Sequence, residues 1–146
     1  MPNEEPTRSN PVPAATDFTE QVAPLLTDLL YPSESDEPIE VVTCYLKQPE
    51  PLLVTQVKEW LMLPPSVYVE ETPEADFWEP VVTQQDWYGD EEKNRTDKFG
   101  QLKEAVEHSL TVRQVFRVGN TEIDVYLLGL QTTGERAGLK TKVVQT

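Results

Sequence analysis

The sequence contains very little cysteine and histidine: Cys44 and His108 are the only residues of either type among its 146 residues. A lone cysteine cannot form an intramolecular disulfide, and the two residues together are too few for a structural zinc site. Long apolar runs are also missing, since no stretch approaches the roughly 18 residues of a membrane-spanning helix. The first residues, Met1-Pro2-Asn3-Glu4-Glu5, lack the basic and apolar regions of a signal peptide. We therefore expect a cytoplasmic protein that does not associate with membranes.

Basic residues are scarce as well. The chain has 12 Lys and Arg against 26 Asp and Glu, which gives a formal net charge of −14. Proteins bind nucleic acid through Lys and Arg side chains that displace counterions from the phosphates, so a surface this acidic repels nucleic acid. We expect no direct nucleic-acid binding and a partner that is itself basic.

The strong sequence signatures of catalysis are absent: there is no glycine-rich phosphate loop, Gly-x-Ser-x-Gly elbow or His-Glu-x-x-His helix. His108 falls on the polar side of a predicted helix, where a solvated residue is expected rather than a general base. Cys44 falls in a Val-rich segment, which is not the electropositive setting of a nucleophilic thiol. The acids Asp90, Glu91 and Glu92 could bind a catalytic metal, but acids at a helix start are explained by the helix dipole. We predict that the chain is not an enzyme.

The composition divides the chain into a short tail and one domain. Residues 1–15 contain four prolines among polar residues and almost no large apolar side chains, so we expect a flexible Pro-rich tail. Residues 16–146 have the length and the apolar content of a single domain with its own core.

Apolar periodicity predicts the first elements of this domain. A helix is expected from Asp17, with Glu20 as its capping-box partner and a kink or a restart at Pro24. Its apolar face consists of Phe18, Val22, Leu25, Leu26, Leu29 and Leu30. An acidic loop from Tyr31 to Pro38 follows, and then a strand from Ile39 to Leu46, in which Cys44 packs as a small apolar side chain.

The remaining pattern predicts an α+β fold. Val54 to Leu61 reads as a short helix, whereas between Ser66 and Pro80 only a strand at Val67–Val69 and a loop anchored by Phe77-Trp78 are suggested. A long helix then presents Phe99, Leu102, Val106 and Leu110, and strands follow at residues 112–118, 121–128 and 139–144. Gly119-Asn120 is expected to form a two-residue turn, and Gly134 and Gly138 are expected to lie in the connection between the last two strands. Helices should therefore cover a mainly antiparallel sheet.

Three features offer chemistry to a partner, and each has a simpler explanation. Glu34, in the loop Ser33-Glu34-Ser35-Asp36-Glu37, could enter a basic or metal-bearing pocket, or the loop could be a solvated connection. Asp86-Trp87 pairs a charge with an aromatic residue of the kind that anchors interfaces, or Trp87 packs under the next helix while Asp86 caps it. Thr146 places a hydroxyl beside the terminal carboxylate, which are hard donors suited to a Mg²⁺ or Ca²⁺ ion held by another protein, although any chain ending in Thr has these atoms.

Several segments resemble the nuclease A inhibitor family of cyanobacteria. The resemblance is carried by Gln85-Asp86-Trp87-Tyr88 with Asp90-Glu91-Glu92, by the strand Asp124-Val125-Tyr126, by Leu29 to Asp36 and above all by the ending Ala137 to Thr146. It covers residues 81–146, the first helix and the acidic loop, while residues 47–80 match poorly.

The resemblance implies a three-layer αβα sandwich that blocks a metal-dependent, sugar-non-specific ββα-metal nuclease. In that mode Glu34 takes the place of a scissile phosphate, Thr146 reaches the Mg²⁺ of the nuclease in the complex, and Asp86 with Trp87 forms a second contact. A basic channel that holds a hard cation attracts an acidic surface, so the net charge would mimic nucleic acid. The inhibitor itself is expected to be a monomer without a cofactor.

The sequence also departs from the family. Gln145 stands where the family often has an acid before the terminal Thr, and Gly89 interrupts the acidic run after Trp87. The alternative is an acidic protein–protein interaction module of the same fold that binds a different basic partner, with association that depends strongly on salt and not on Mg²⁺.

Overall fold

A computed structural model describes residues 14–46 and 48–145. In this part of the chain the elements are α1 (Ala14–Leu26), β1 (Leu30–Tyr31), β2 (Glu37–Pro38), β3 (Glu40–Cys44), α2 (Val54–Trp60), β4 (Val69–Thr72), α3 (Glu74–Val82), α4 (Asp90–Ser109), β5 (Thr111–Val118), β6 (Glu122–Leu130) and β7 (Arg136–Val144). The predicted tail, residues 1–15, lies outside the described residues except for 14 and 15, whose backbone belongs to α1. None of the helices in the described ranges combines the length and the apolar character needed to cross a membrane.

A five-stranded antiparallel sheet in the order β3-β7-β6-β5-β4 forms the centre of the molecule. The predicted run of three antiparallel strands is confirmed as β5, β6 and β7, with Ile123 opposite Val143 and Leu127 opposite Leu139. Strands β1 and β2 form a separate small hairpin. Because β6 and β7 lie inside the sheet, most of their residues are buried.

Each face of the sheet carries its own apolar core, since successive strand residues point to opposite faces. On one face α1, α3 and α4 pack over the strands, and their buried side chains include Phe18, Val22, Phe77, Trp78, Phe99, Leu102 and Val106. On the other face α2 contributes Val57 to a smaller core with Cys44, Leu52, Phe116, Tyr126 and Leu128. The α+β fold is confirmed, with helices on both sides of a sheet as in an αβα sandwich.

The first helix differs from its predicted limits. It begins at Ala14, so Asp17 lies within the helix and is not its capping residue. It runs through Pro24 and ends at Leu26, and Asp28 has the positive φ of 61° that commonly follows a helix end. Leu29 is still buried, but it lies beyond the helix, and Leu30 belongs to β1 with 43% of its surface exposed. The apolar spacing therefore continued past the point where the backbone leaves the helix.

The middle of the chain contains a helix that the sequence pattern did not indicate. Residues Phe77 and Trp78, expected in a loop, lie in α3 and are 4% and 1% exposed. Pro73 precedes this helix and Pro80 lies inside it, so the usual helix signals are obscured. The Trp78 indole nitrogen donates to Glu74 Oε2 at 2.9 Å, which secures the first turn.

Two predicted boundaries in the second half are also wrong. Val118 pairs with Asp124, so the β5–β6 connection is longer than the predicted two-residue turn at Gly119-Asn120. Gly119 has φ 107°, and its N–H donates to the Tyr68 carbonyl oxygen at 2.8 Å, which ties the connection to the residue before β4. Strand β7 begins at Arg136 rather than Leu139 and includes Gly138, which lies opposite Leu128.

Candidate functional site

The predicted acidic loop is the tip of the β1–β2 hairpin, in which Tyr31 pairs with Glu37. The stem is fixed in the core, because the Tyr31 ring stacks on Phe77 and its hydroxyl donates to the Phe77 carbonyl oxygen at 2.6 Å. Burial raises the pKa of Tyr31 to about 12, so this anchor stays neutral. Glu34 and Asp36 in the loop have exposed side chains. A buried stem therefore presents carboxylates to solvent.

The loop is hydrogen-bonded to the last strand of the sheet. The Ser33 hydroxyl accepts from the Val144 N–H at 3.1 Å, and the Val144 carbonyl oxygen accepts from the Glu34 N–H at 3.4 Å. Nearer the stem, the Thr141 hydroxyl donates to the Pro38 carbonyl oxygen at 3.0 Å. The structure thus brings the backbone of Glu34 into contact with the residue that lies two positions before Thr146.

Gln145 continues the ordered end of β7. Its N–H donates to the Thr121 carbonyl oxygen at 2.9 Å, and its side-chain oxygen accepts from Arg117 Nη2 at 2.9 Å. Thr146 itself lies outside the described residues. The neutral Gln145 side chain is therefore a partner of Arg117, where an acid would form an ion pair.

Asp86 and Trp87 lie in the connection between α3 and α4, and both side chains are exposed. Trp87 has 74% of its surface accessible and contacts Tyr88 edge to face at a centroid distance of 4.6 Å. Gly89, not Asp86, precedes the first turn of α4, and the N–H of Gly89 donates to Glu92 Oε1 at 3.0 Å. The simpler explanation, in which Trp87 packs under the helix and Asp86 caps it, is therefore wrong.

A groove of about 360 Å³ runs between the β1–β2 hairpin and the start of α4. Its walls come from the segment between α1 and β1, the acidic loop and the first turns of α4, and they consist of Asp28, Leu29, Leu30, Asp36, Glu91, Glu92, Asn94, Arg95 and Lys98. The groove connects the acidic loop with the helix that directly follows Asp86-Trp87. Three of the four predicted site residues, Glu34, Asp86 and Trp87, are exposed but do not line the groove; Asp36 of the acidic loop and Glu91 in the first turn of α4 do.

The other reactive residues lie apart from this region. Cys44 is 4% exposed in β3, as predicted, and burial raises the pKa of its thiol. His108 is exposed near the end of α4, also as predicted. Across residues 14–46 and 48–145, no group of three or more His, Cys, Asp or Glu side chains is arranged to hold a metal ion.

Sequence reasoning missed the residues that hold the site in place. Ser33 contacts the end of the last strand and Arg117 contacts Gln145 just beyond it, but both are distant from these partners in sequence, so no local pattern indicates the pairing. One signal was present: a Ser in a loop often turns the backbone by accepting from the backbone N–H two residues later, as Ser33 does from the Ser35 N–H at 3.2 Å.

The comparison with known families covers nearly the whole chain. A family model described as NuiA, nuclease A inhibitor-like protein, matches residues 16–146. None of the curated proteins compared matches the sequence.

Proposed function

The chain belongs to the nuclease A inhibitor-like family, and we propose that it binds and blocks the active site of a metal-dependent, sugar-non-specific ββα-metal nuclease. The family is one of nuclease inhibitors, and the nuclease class and the mode of binding are the added steps. The inhibitor acts as a cytoplasmic monomer, without catalysis, without a cofactor of its own and without contact to nucleic acid or membrane.

One observation carries the proposal: the loop that contains Glu34 is hydrogen-bonded to the strand that leads to Thr146. Ser33 and Glu34 contact the backbone of Val144 at 3.1 and 3.4 Å. A chain of two further residues spans at most about 7 Å, so Thr146 is tethered close to the acidic loop by connectivity alone. A carboxylate and the terminal oxygens can therefore enter one active site together.

The charge of the surface fits such a target. A nuclease active site binds phosphates and a divalent cation, so it attracts a protein with a net charge of −14. Glu34 offers a carboxylate in the place of the scissile phosphate. The hydroxyl and terminal carboxylate of Thr146 are hard oxygen donors of the kind that Mg²⁺ accepts.

Asp86 and Trp87 supply the second contact. Exposed tryptophans are uncommon on monomeric surfaces and are enriched among the residues that dominate binding energy. Trp87 is 74% exposed beside the acidic first turn of α4, so it can pack on the nuclease while the nearby carboxylates face basic residues.

The first test measures inhibition of DNA and RNA cleavage by a ββα-metal nuclease in Mg²⁺. Glu34→Gln should weaken inhibition on the order of a hundredfold, the effect typical of a residue central to an interface. Glu59→Gln is the matched control, because Glu59 is exposed on α2 across the sheet and the substitution removes the same charge. It should leave inhibition unchanged.

The terminal contact needs its own variants. Deletion of Thr146 should weaken inhibition. Thr146→Ala removes only the hydroxyl and keeps the terminal carboxylate, so it measures the contribution of the hydroxyl alone. A tight complex that survives Glu34→Gln and the deletion combined would refute this site. Binding to many basic proteins with no dependence on Mg²⁺ would instead support the acidic interaction module.

A further inference from the structure

Ser33 uses the full hydrogen-bonding capacity of its hydroxyl group. The group donates to the Ser35 carbonyl oxygen at 2.6 Å and accepts from two backbone N–H groups, those of Ser35 at 3.2 Å and Val144 at 3.1 Å. A serine hydroxyl has one donor and two acceptor positions, so all three are occupied. The first two bonds shape the loop, and the third joins it to β7.

The third bond falls where β7 has lost its outer neighbour. Pairing between β3 and β7 ends at Glu40 opposite Lys140, and β7 continues to Val144. Beyond that point the hairpin takes over, through Thr141 with Pro38 and through Val144 with Ser33 and Glu34. The acidic loop thus occupies the edge that the sheet leaves open beside the end of the strand.

We propose that Ser33 is the positioning residue of the inhibitor, because its hydroxyl holds the loop of Glu34 and the end of β7 as one unit. This inference rests on the proposed function. With the unit intact, the loop of Glu34 and the end of β7 are already ordered before the inhibitor binds. This favours binding, because ordering groups on binding costs affinity. Without the hydroxyl, the loop and the strand move independently and their contributions no longer combine.

The test compares three serine variants in the inhibition assay. Ser33→Ala should weaken inhibition about tenfold or more, since it removes all three hydrogen bonds at once. Ser33→Thr keeps the hydroxyl and should restore most of the inhibition. Ser35→Ala is the matched control: the Ser35 hydroxyl donates to Glu37 within the hairpin and the Ser35 backbone is untouched, so inhibition should stay near that of the parent protein.

A double-mutant cycle separates positioning from a loss of stability. If Ser33 positions Glu34, then Glu34→Gln should cost far less in the Ser33→Ala background than alone, because interacting residues are not additive. Full additivity, or a loss of inhibition equal in Ser33→Ala and Ser35→Ala, would overturn the assignment. So would a loss of inhibition that merely follows the fraction of unfolded protein, measured by denaturant unfolding of each variant.

A second readout does not depend on the nuclease. Hydrogen exchange at the Val144 amide should be faster in Ser33→Ala than in Ser33→Thr or in the parent protein, because the amide loses its acceptor. If the parent protein fails to inhibit, the proposed function fails, while faster exchange still supports the coupling of loop and strand. Unchanged exchange at Val144 overturns the coupling itself.

Discussion

Two tryptophans show how little the type of a residue reveals about its role. Trp78 is 1% exposed and its indole N–H is bonded to Glu74, whereas Trp87, nine positions later, is 74% exposed. The sequence pattern predicted Trp78 as an anchor in a loop, although it lies in α3, and left burial and exposure equally open for Trp87. Only packing against α4 and the sheet decides between them, and that packing depends on residues distant in sequence.

At the residue scale we predict that these tryptophans separate binding from folding. Trp87→Ala should weaken nuclease inhibition by about 2 kcal/mol or more and leave the free energy of unfolding nearly unchanged. Trp78→Ala should lower the free energy of unfolding by about 3–5 kcal/mol, because it leaves a cavity in the core. Inhibition assays and denaturant unfolding of both variants check this. A large loss of stability in Trp87→Ala would show that its ring packs on the domain.

At the scale of elements, periodicity predicted the long helices and the three consecutive strands, because each presents a repeated apolar face. It did not predict α3, which carries prolines before and inside it, or the β1–β2 hairpin, whose strands have two residues each. Two-residue strands contain no period to detect. Their position comes from the Tyr31 ring in the core and from hydrogen bonds to β7, which are long-range contacts.

Gly138 tests how closely the central strands approach each other, and Gly100 in α4 is the comparison. A Cβ at Gly138 in β7 would overlap the carbonyl oxygen of Leu127 in β6, whereas a Cβ at Gly100 in α4 would meet nothing within 4 Å. Gly138→Ala should therefore destabilise the protein by about 3 kcal/mol or more, as expected of overpacking against backbone. Gly100→Ala should stabilise it by about 0.5–1 kcal/mol. Thermal and denaturant unfolding measure both, and a neutral Gly138→Ala would mean that β6 and β7 can separate.

For the whole molecule, the sequence has a net charge of −14, and the resemblance predicted the family and the sandwich, whereas the division into a tail and one domain stays a prediction. Neither the composition nor the resemblance could show that the acidic loop is bonded to the end of β7, because Ser33 and Val144 are 111 positions apart in the chain. Composition likewise gives the total charge of the chain, but only the fold shows where on the surface the charged residues lie. Here four acidic residues, Glu91 among them, line one groove together with two basic residues, while Glu59 lies on α2 across the sheet.

This distribution predicts how association depends on charge. If the net charge alone steers binding, Glu91→Lys and Glu59→Lys should slow association equally, since each changes the total by the same amount. Exposed charges are screened beyond about 8 Å at physiological ionic strength, so the local charge near the interface should dominate instead. We expect Glu91→Lys to lower the association rate constant several times more than Glu59→Lys, with a difference that shrinks as salt rises from about 0.02 M to about 0.3 M. Stopped-flow association with the nuclease measures both rate constants. Equal slowing by the two variants would place the interface away from the groove, because the field near the first turn of α4 would then have no special effect on encounter.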